Sequence, residues 1–244
     1  MPMTAAHPVA VLPFRRLKLD WTCLVIGSMA PDFEYFLRAD LSSTLSHTLR
    51  GLFVFCLPIT IVAAALFHHV VKMPALRVAP VSVARRLAVY AQRPWMPRWT
   101  VATVAILVLS ALVGAATHLF WDGITHGDGW GPAQFPWLRT IVDVPIVGPM
   151  LLHRVIQHSS TVVGLVILAI VLARALRRTP PIEVPPPSWR NRLLWAICIA
   201  VVGALAFHHL RHLHLWDPGS IIVAIIDAGL GGALVASLIA PAKS

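Results

Sequence analysis

The chain has 244 residues, of which 57% are apolar and only 12% charged, and its mean hydropathy is +0.75. A soluble domain carries about 45–50% apolar and about 25% charged residues, so this balance excludes a soluble globular enzyme and a disordered chain and indicates a polytopic membrane protein. The net charge of +10 reads as the basic loops of the positive-inside rule, not as a nucleic-acid surface.

In chain order, the N-terminus does not read as a signal peptide. His7, Pro8, Pro13 and the basic cluster Arg15, Arg16 and Lys18 interrupt any apolar core there. Leu19–Ala30 is apolar but too short to span, and Pro31 follows it. Five stretches are long enough to cross a bilayer, which takes about 20 apolar residues: Gly51–Val71, Trp99–Trp121, Val155–Ala173, Leu193–Leu210 and Gly219–Ala242. A second short apolar stretch, Ile141–Leu152, is broken by Pro145, Gly148 and Pro149. Both short stretches are predicted to be interfacial or re-entrant helices packed against the bundle. The expected fold is thus all-α: one integral membrane domain over 1–244, with an N-terminal motif segment (1–50) and a transmembrane bundle (51–242). Trp99, Trp121, Trp189 and Trp216 stand at span ends, as interfacial aromatics do. Cys23, Cys56 and Cys198 are isolated in apolar runs and suggest neither a disulfide nor a thiolate zinc site.

Lys72–Arg98 holds six basic residues and no acid, and Arg174–Arg192 five basic residues and one acid, Glu183. These loops, with the C-terminus, are expected in the cytoplasm of a bacterial inner-membrane protein; the five basic residues of 1–50 fit that orientation poorly. On the opposite face fall ten of the twelve histidines, all but His68 and His69, and every acid except Glu183. Acids contribute little to topology, and Asp or His at membrane depth is functional by default.

Six motifs populate that face. His118 and Asp122 stand four apart at the end of a span, on one helix face, where they can share a cation or orient one another; His126 follows one turn later. Asp32 and Glu34 follow a proline that ends a short helix. His47 precedes the first span, His7 lies near the N-terminus, Gln157 and His158 open the third span, and His208, His209, His212, His214 and Asp217 cluster late. Each has a plainer reading: Asp122 or Asp32 as a helix cap, His118 as an interfacial histidine, His7 as a solvated one, and the late cluster as neutral rim histidines.

Taken together, MPMTAAHPVAVLPFRR (1–16), IGSMAPDFEYF (26–36), SHTLRGLF (46–53), HLFWD (118–122) and QHSS (157–160) resemble a bacterial membrane family, domain-of-unknown-function family 4184, over residues 1 to about 165. The motif order is similar to that of the membrane-bound metal-dependent hydrolases, where an early His, a Pro-Asp-x-Asp, a Thr-His-Ser and a His-x3-Asp recur. Those in turn resemble the zinc-dependent phospholipase C and nuclease superfamily. The resemblance implies His7, Asp32, His47, His118 and Asp122 as metal ligands. Glu34 replaces the second acid of Pro-Asp-x-Asp, and no downstream His-x3-Glu appears, so His126 and His158 would have to complete a larger set. Such an N/O donor set suits zinc or manganese. Glu34 is then the natural general base, and Arg50 or Arg154 a phosphate contact. A site at the bilayer surface suits a lipid or lipid-linked substrate. Two other readings use the same residues: a non-catalytic binding or assembly protein, and a cation or proton transporter routed past Asp227, His158, His208 and His212. No inverted repeat of the kind many transporters show is visible. The sequence gives no oligomeric state.

Overall fold

The computed structural model describes residues 3–38, 43–96, 99–185, 188–212 and 218–239. Helices dominate: α1 (Trp21–Gly27), α2 (Phe33–Arg38), α3 (Leu49–Val78), α4 (Val81–Ala91), α5 (Val101–Thr125), α6 (Trp130–Gln134), α7 (Leu152–Arg178), α8 (Trp189–His212) and α9 (Pro218–Ile239). Among the described residues four helices are long and apolar enough to cross a membrane: α3, α5, α7, and α8 over Trp189–His208. The fifth expected span is present as the shorter apolar helix Val223–Ile239 within α9.

Chain contacts divide the molecule into two compact units. The first comprises Met1–Asp32, Thr44–Ile61 and Thr100–Ala173; the second comprises Phe33–Ser43, Val62–Trp99 and Arg174–Ser244.

In the first unit the N-terminal residues Thr4–Arg16 form a 3-10 helix. Pro8 and Pro13 lie inside it; each lacks the N–H that an α-helical ladder would use. Asp20 then caps α1 by accepting the Cys23 N–H at 2.8 Å. Helix α1 packs on α5 at backbone contact distance. A Cβ on Gly27 would sit 2.6 Å from the Ala111 carbonyl oxygen, and one on Gly114 2.4 Å from that of Leu24. Ala111 and Ala115 are fully buried along the same seam, so small residues here serve close helix approach, as in other membrane bundles. Ala30, Leu52, Cys56 and Ala115 form a buried cluster with Leu112 and Leu119 packed against it. Helix α3 starts from a Thr48 cap, whose hydroxyl accepts the Gly51 N–H. It contains two π-helical turns, Leu52–Cys56 in the first unit and Phe67–Val71 in the second.

Ile141–Leu152 is not the helix expected from its apolarity. Ile141–Val144 (β1) pairs antiparallel with Gly148–Leu151 (β2), with Ile141 opposite Leu151. The β-branched residues favour the extended chain, and Pro145 and Gly148 (φ +90°) suit its reversal.

In the second unit α8 and α9 pack closely. A Cβ on Gly232 would meet the Ile199 Cα at 2.5 Å, and one on Gly203 the Ala228 Cβ at 3.1 Å. Arg86 of α4 donates to the Leu176 and Thr179 carbonyls at 3.0 and 2.7 Å. At least this loop arginine satisfies the end of a helix besides adding positive charge. The three cysteines are buried and free.

The α1–α5 seam makes a prediction. Gly114→Val should destabilise the protein by about 1–3 kcal/mol or prevent folding, since the new side chain meets backbone. Gly229→Ala, whose Cβ would have nothing within 4 Å, should leave thermal unfolding in detergent unchanged.

Candidate metal centre

Four segments of the first unit bring their polar residues to one point. His118 is fully buried on α5, and Asp122 lies one turn later on the same face. The α1–α5 seam places the Ser28 carbonyl 2.8 Å from His118 Nδ1. A carbonyl only accepts, so Nδ1 carries a proton, and in the neutral ring Nε2 is a lone pair. That lone pair faces two carboxylates: Asp122 Oδ2 at 3.2 Å and Asp32 Oδ1 at 3.4 Å.

Asp32 is fully buried at the end of the 3-10 turn Ala30–Asp32. Thr4 donates its hydroxyl to Oδ2 at 2.6 Å, which turns Oδ1 toward the histidines. His47 Nε2 lies 3.6 Å from both Asp32 Oδ1 and Asp122 Oδ2, and its Nδ1 is 3.0 Å from the Ser46 hydroxyl. His7 Nε2 lies 3.5 Å from Asp122 Oδ1, and the ring stacks on that of His118 with centroids 3.7 Å apart.

These contacts are not a hydrogen-bond network. His7 Nε2, His118 Nε2, Asp32 Oδ1 and both Asp122 carboxylate oxygens are buried and make no hydrogen bond among the described residues, although buried polar groups are nearly always paired. One ligand atom from each of Asp32, His47, His118 and Asp122 lies within 4.8 Å of the others. The N–O separations of 3.2–3.6 Å bracket the distance of about 3.3 Å between ligand atoms that tetrahedral zinc at about 2.0–2.1 Å requires. The group can hold a metal ion. Ser28, Ser46 and Thr4 orient its members from behind, as outer partners of metal ligands do.

Burial, reinforced by the His118 ring, pushes His7 down to about 3, so it is neutral at pH 7. Burial works against the Asp32 carboxylate, but His118 and His47 outweigh it and hold the group well below the usual carboxylate range. Burial would also lower His47; the Asp122 and Asp32 carboxylates outweigh it and raise it. A proton on His47 and a metal cation are therefore alternative partners for the same two carboxylates.

The remaining expected residues lie elsewhere. His126 Nδ1 is 3.8 Å from Asp122 Oδ2, but it donates to the Asp122 backbone carbonyl at 2.9 Å, while Nε2 meets the Gln157 amide at 3.4 Å. With both nitrogens engaged, His126 is not placed as a ligand. His158 is exposed and lines a separate cavity. Glu34 belongs to the second unit, buried, with Oε1 3.3 Å from Arg38 Nη1. Arg50 is exposed, three residues after His47. His208 is exposed, and His214 and Asp217 lie outside the described residues. Neither Asp32 nor Asp122 needs a capping role to explain it, since both are turned into the cluster. Thr4 and His153 carry no role in the sequence reading; the signal for Thr4 was its place three residues before His7.

An apolar cavity of about 220 Å³, lined by Ala6, Val9, Ala10, Val163, Gly164 and Ile167, reaches His7.

The family model for "Domain of unknown function (DUF4184)" matches residues 1–240. The chain belongs to this family. The match extends well past the motifs, into α8 and α9. The chain is also similar to glycophorin-A from Equus caballus, 32% identical over 83 residues, which take in 33% of this chain. It spans 61% of that relative's length. No solved structure matches.

Two predictions follow from the geometry of this DUF4184 member. Thr4→Val should lower metal affinity about 10- to 100-fold with the fold intact, read by competition with a chelating dye. Because histidine ligands must shed their protons and the carboxylates raise His47, affinity should fall as the pH is lowered, beginning above the usual imidazole range; a flat profile would contradict the role of His47.

Proposed function

We propose that this protein is a membrane-embedded metal-dependent hydrolase that cleaves a phosphoester of a lipid or lipid-linked substrate. His7, Asp32, His47, His118 and Asp122 hold zinc or manganese. The observation that supports this most is that Asp32, His47, His118 and Asp122 bring ligand atoms within 4.8 Å of one another, while buried Asp32, His118 and Asp122 atoms turned into the group make no hydrogen bond among the described residues. Structural histidines and acids would instead be paired.

A divalent ion so held supplies Lewis-acid charge that polarises a phosphoryl oxygen and acidifies a water. The protein's own groups do the rest. Ser28 and Thr4 fix the orientation of His118 and Asp32. His47, 22% exposed as a side chain, forms the open edge of an otherwise buried cluster, so substrate approaches there. Glu34 is assigned the role of general base and Arg50 that of a phosphate contact, from their places two residues after Asp32 and three after His47. The apolar cavity beside His7 suits the alkyl part of a lipid. In this reading the protein sits in a bacterial cytoplasmic membrane, with its basic loops and C-terminus in the cytoplasm.

The test is metal content by mass spectrometry on detergent-purified protein, wild type beside His118→Ala and Asp122→Ala. One or two equivalents of zinc or manganese, lost in both variants, are expected. Glu34→Gln should keep the metal and lower turnover of a phosphodiester by about 10²–10⁴. Well-folded wild type that takes up no metal on reconstitution would refute the proposal. A metal-loaded protein indifferent to Glu34→Gln would leave a binding or assembly role in its place.

A further inference from the structure

The basic residues at one end of the second unit are arranged in a way that a topological signal alone does not require. Positive-inside orientation depends on how many Lys and Arg a loop holds, not on their being held in a fixed framework. Helix α4 (Val81–Ala91) is fastened at both ends. Arg86 donates to the Leu176 and Thr179 carbonyls, the Tyr90 hydroxyl stands 3.1 Å from Thr179 Oγ1, and the Ile182 N–H donates to the Arg85 carbonyl at 2.9 Å. Beyond the helix, Lys72 of α3 donates its ammonium to the Arg93 carbonyl at 3.0 Å. Ala84, Ala88 and Ala91 form the buried stripe of α4, which leaves Arg85 and Tyr90 exposed.

Arg85 and Arg93 thus share one end of the unit with Arg177 and Arg178, at the C-terminus of α7, and all four are exposed. None of them forms a salt bridge among the described residues. Attraction to the negative end of the helix dipole accounts for Arg177 and Arg178, but Arg85 and Arg93 lie outside α7. Like charges held close together repel one another and favour a counter-charge. The neighbouring helix indicates which one. Helix α8 packs against Lys72–Val78 of α3. It begins with Trp189 and Arg190, whose guanidinium lies 5.6 Å from the Trp189 ring centroid. Leu193, Ile197 and Val201 then follow along the helix, each about half exposed, as on the lipid-facing side of a span. An arginine and a tryptophan just ahead of an exposed apolar stripe mark headgroup depth. Arg93 lies in the same way 5.3 Å from the Tyr90 ring centroid. The anion abundant at that depth is lipid phosphate, which a guanidinium meets with paired hydrogen bonds.

We propose that this end of the second unit is a binding surface for anionic phospholipid headgroups, with Arg85 and Arg93 as its principal contacts and Arg177 and Arg178 beside them. The partner is the surrounding bilayer: lipids with a net negative headgroup gather at this rim, and zwitterionic lipids do not. A basic residue close to an anionic membrane surface strengthens binding by about fivefold. The surface does not depend on the His/Asp cluster, which belongs to the first unit, and it stands whether or not the protein is a hydrolase.

The experiment uses detergent-purified full chain and two probes of equal chain length, phosphatidylglycerol and phosphatidylcholine, with bound lipid counted by native mass spectrometry. Wild type is compared with the double variant Arg85→Gln, Arg93→Gln and with Arg15→Gln, Arg16→Gln, which removes the same charge from exposed positions of the first unit. The Arg85 and Arg93 carbonyls that accept from Ile182 and Lys72 belong to the main chain, so the first double variant keeps them, and unchanged thermal unfolding in detergent confirms its fold. Wild type is expected to hold phosphatidylglycerol at least tenfold more tightly than phosphatidylcholine. Losing Arg85 and Arg93 should weaken phosphatidylglycerol by about 25-fold, two charges at about fivefold each. Losing Arg15 and Arg16 should change it less than about twofold, and salt at about 1 M, where the screening length is about 3 Å, should weaken it in wild type. Equal losses in the two double variants would mean a response to net charge and overturn the proposal. So would wild type that holds the two lipids alike, which would leave these arginines a topological role only.

Discussion

Two carboxylates, Asp32 and Asp122, lie buried within reach of the same imidazoles. Desolvating an ionised carboxylate costs several kcal/mol unless a positive charge compensates it. Two such groups in one place require two units of positive charge, as protons on imidazoles or as one divalent cation. Much of the first unit serves this constraint. The 3-10 segment delivers Thr4 and His7, the α1–α5 seam delivers the Ser28 carbonyl, and the start of α3 delivers His47.

The imidazoles differ in how readily they take a proton, and the two carboxylates favour one on His47. His118 spends its one N–H on a backbone carbonyl, and His7 is held neutral by burial. Stacking at 3.7 Å disfavours a charge on both rings at once. A divalent ion at the centre of the cluster balances both acids without charging any ring.

The membrane architecture was readable from apolar run lengths, because a span needs about 20 such residues and little else produces them. The convergence of His7, Asp32, His47, His118 and Asp122 was not readable from spacing: only His118 and Asp122 are helix neighbours, and the others came through family resemblance. His126 and His158 show the limit of that inference. Their residue type and proximity in sequence suited ligation, but hydrogen bonds that no spacing reveals commit His126 elsewhere. The hairpin at Ile141–Leu151 was missed because a short apolar run does not distinguish strand from helix. Helix α7 begins at Leu152, three residues before the span read from the apolar run, because run length does not mark where a helix starts.

The π-helical turn at Leu52–Cys56 has a consequence for how this site can vary. A π turn corresponds to one residue more than the α-helical path needs. It therefore uncouples the rotational phase of the helix on its two sides. The stretch that carries His47 and the Thr48 cap is set by the His/Asp cluster, while the remainder of α3 can take whatever phase suits its apolar surroundings. A single-residue deletion within Leu52–Cys56 would restore α-helical geometry and re-couple the two, turning one end by about 100° relative to the other. Length at this point of the chain is thus a constraint in its own right, separate from residue type.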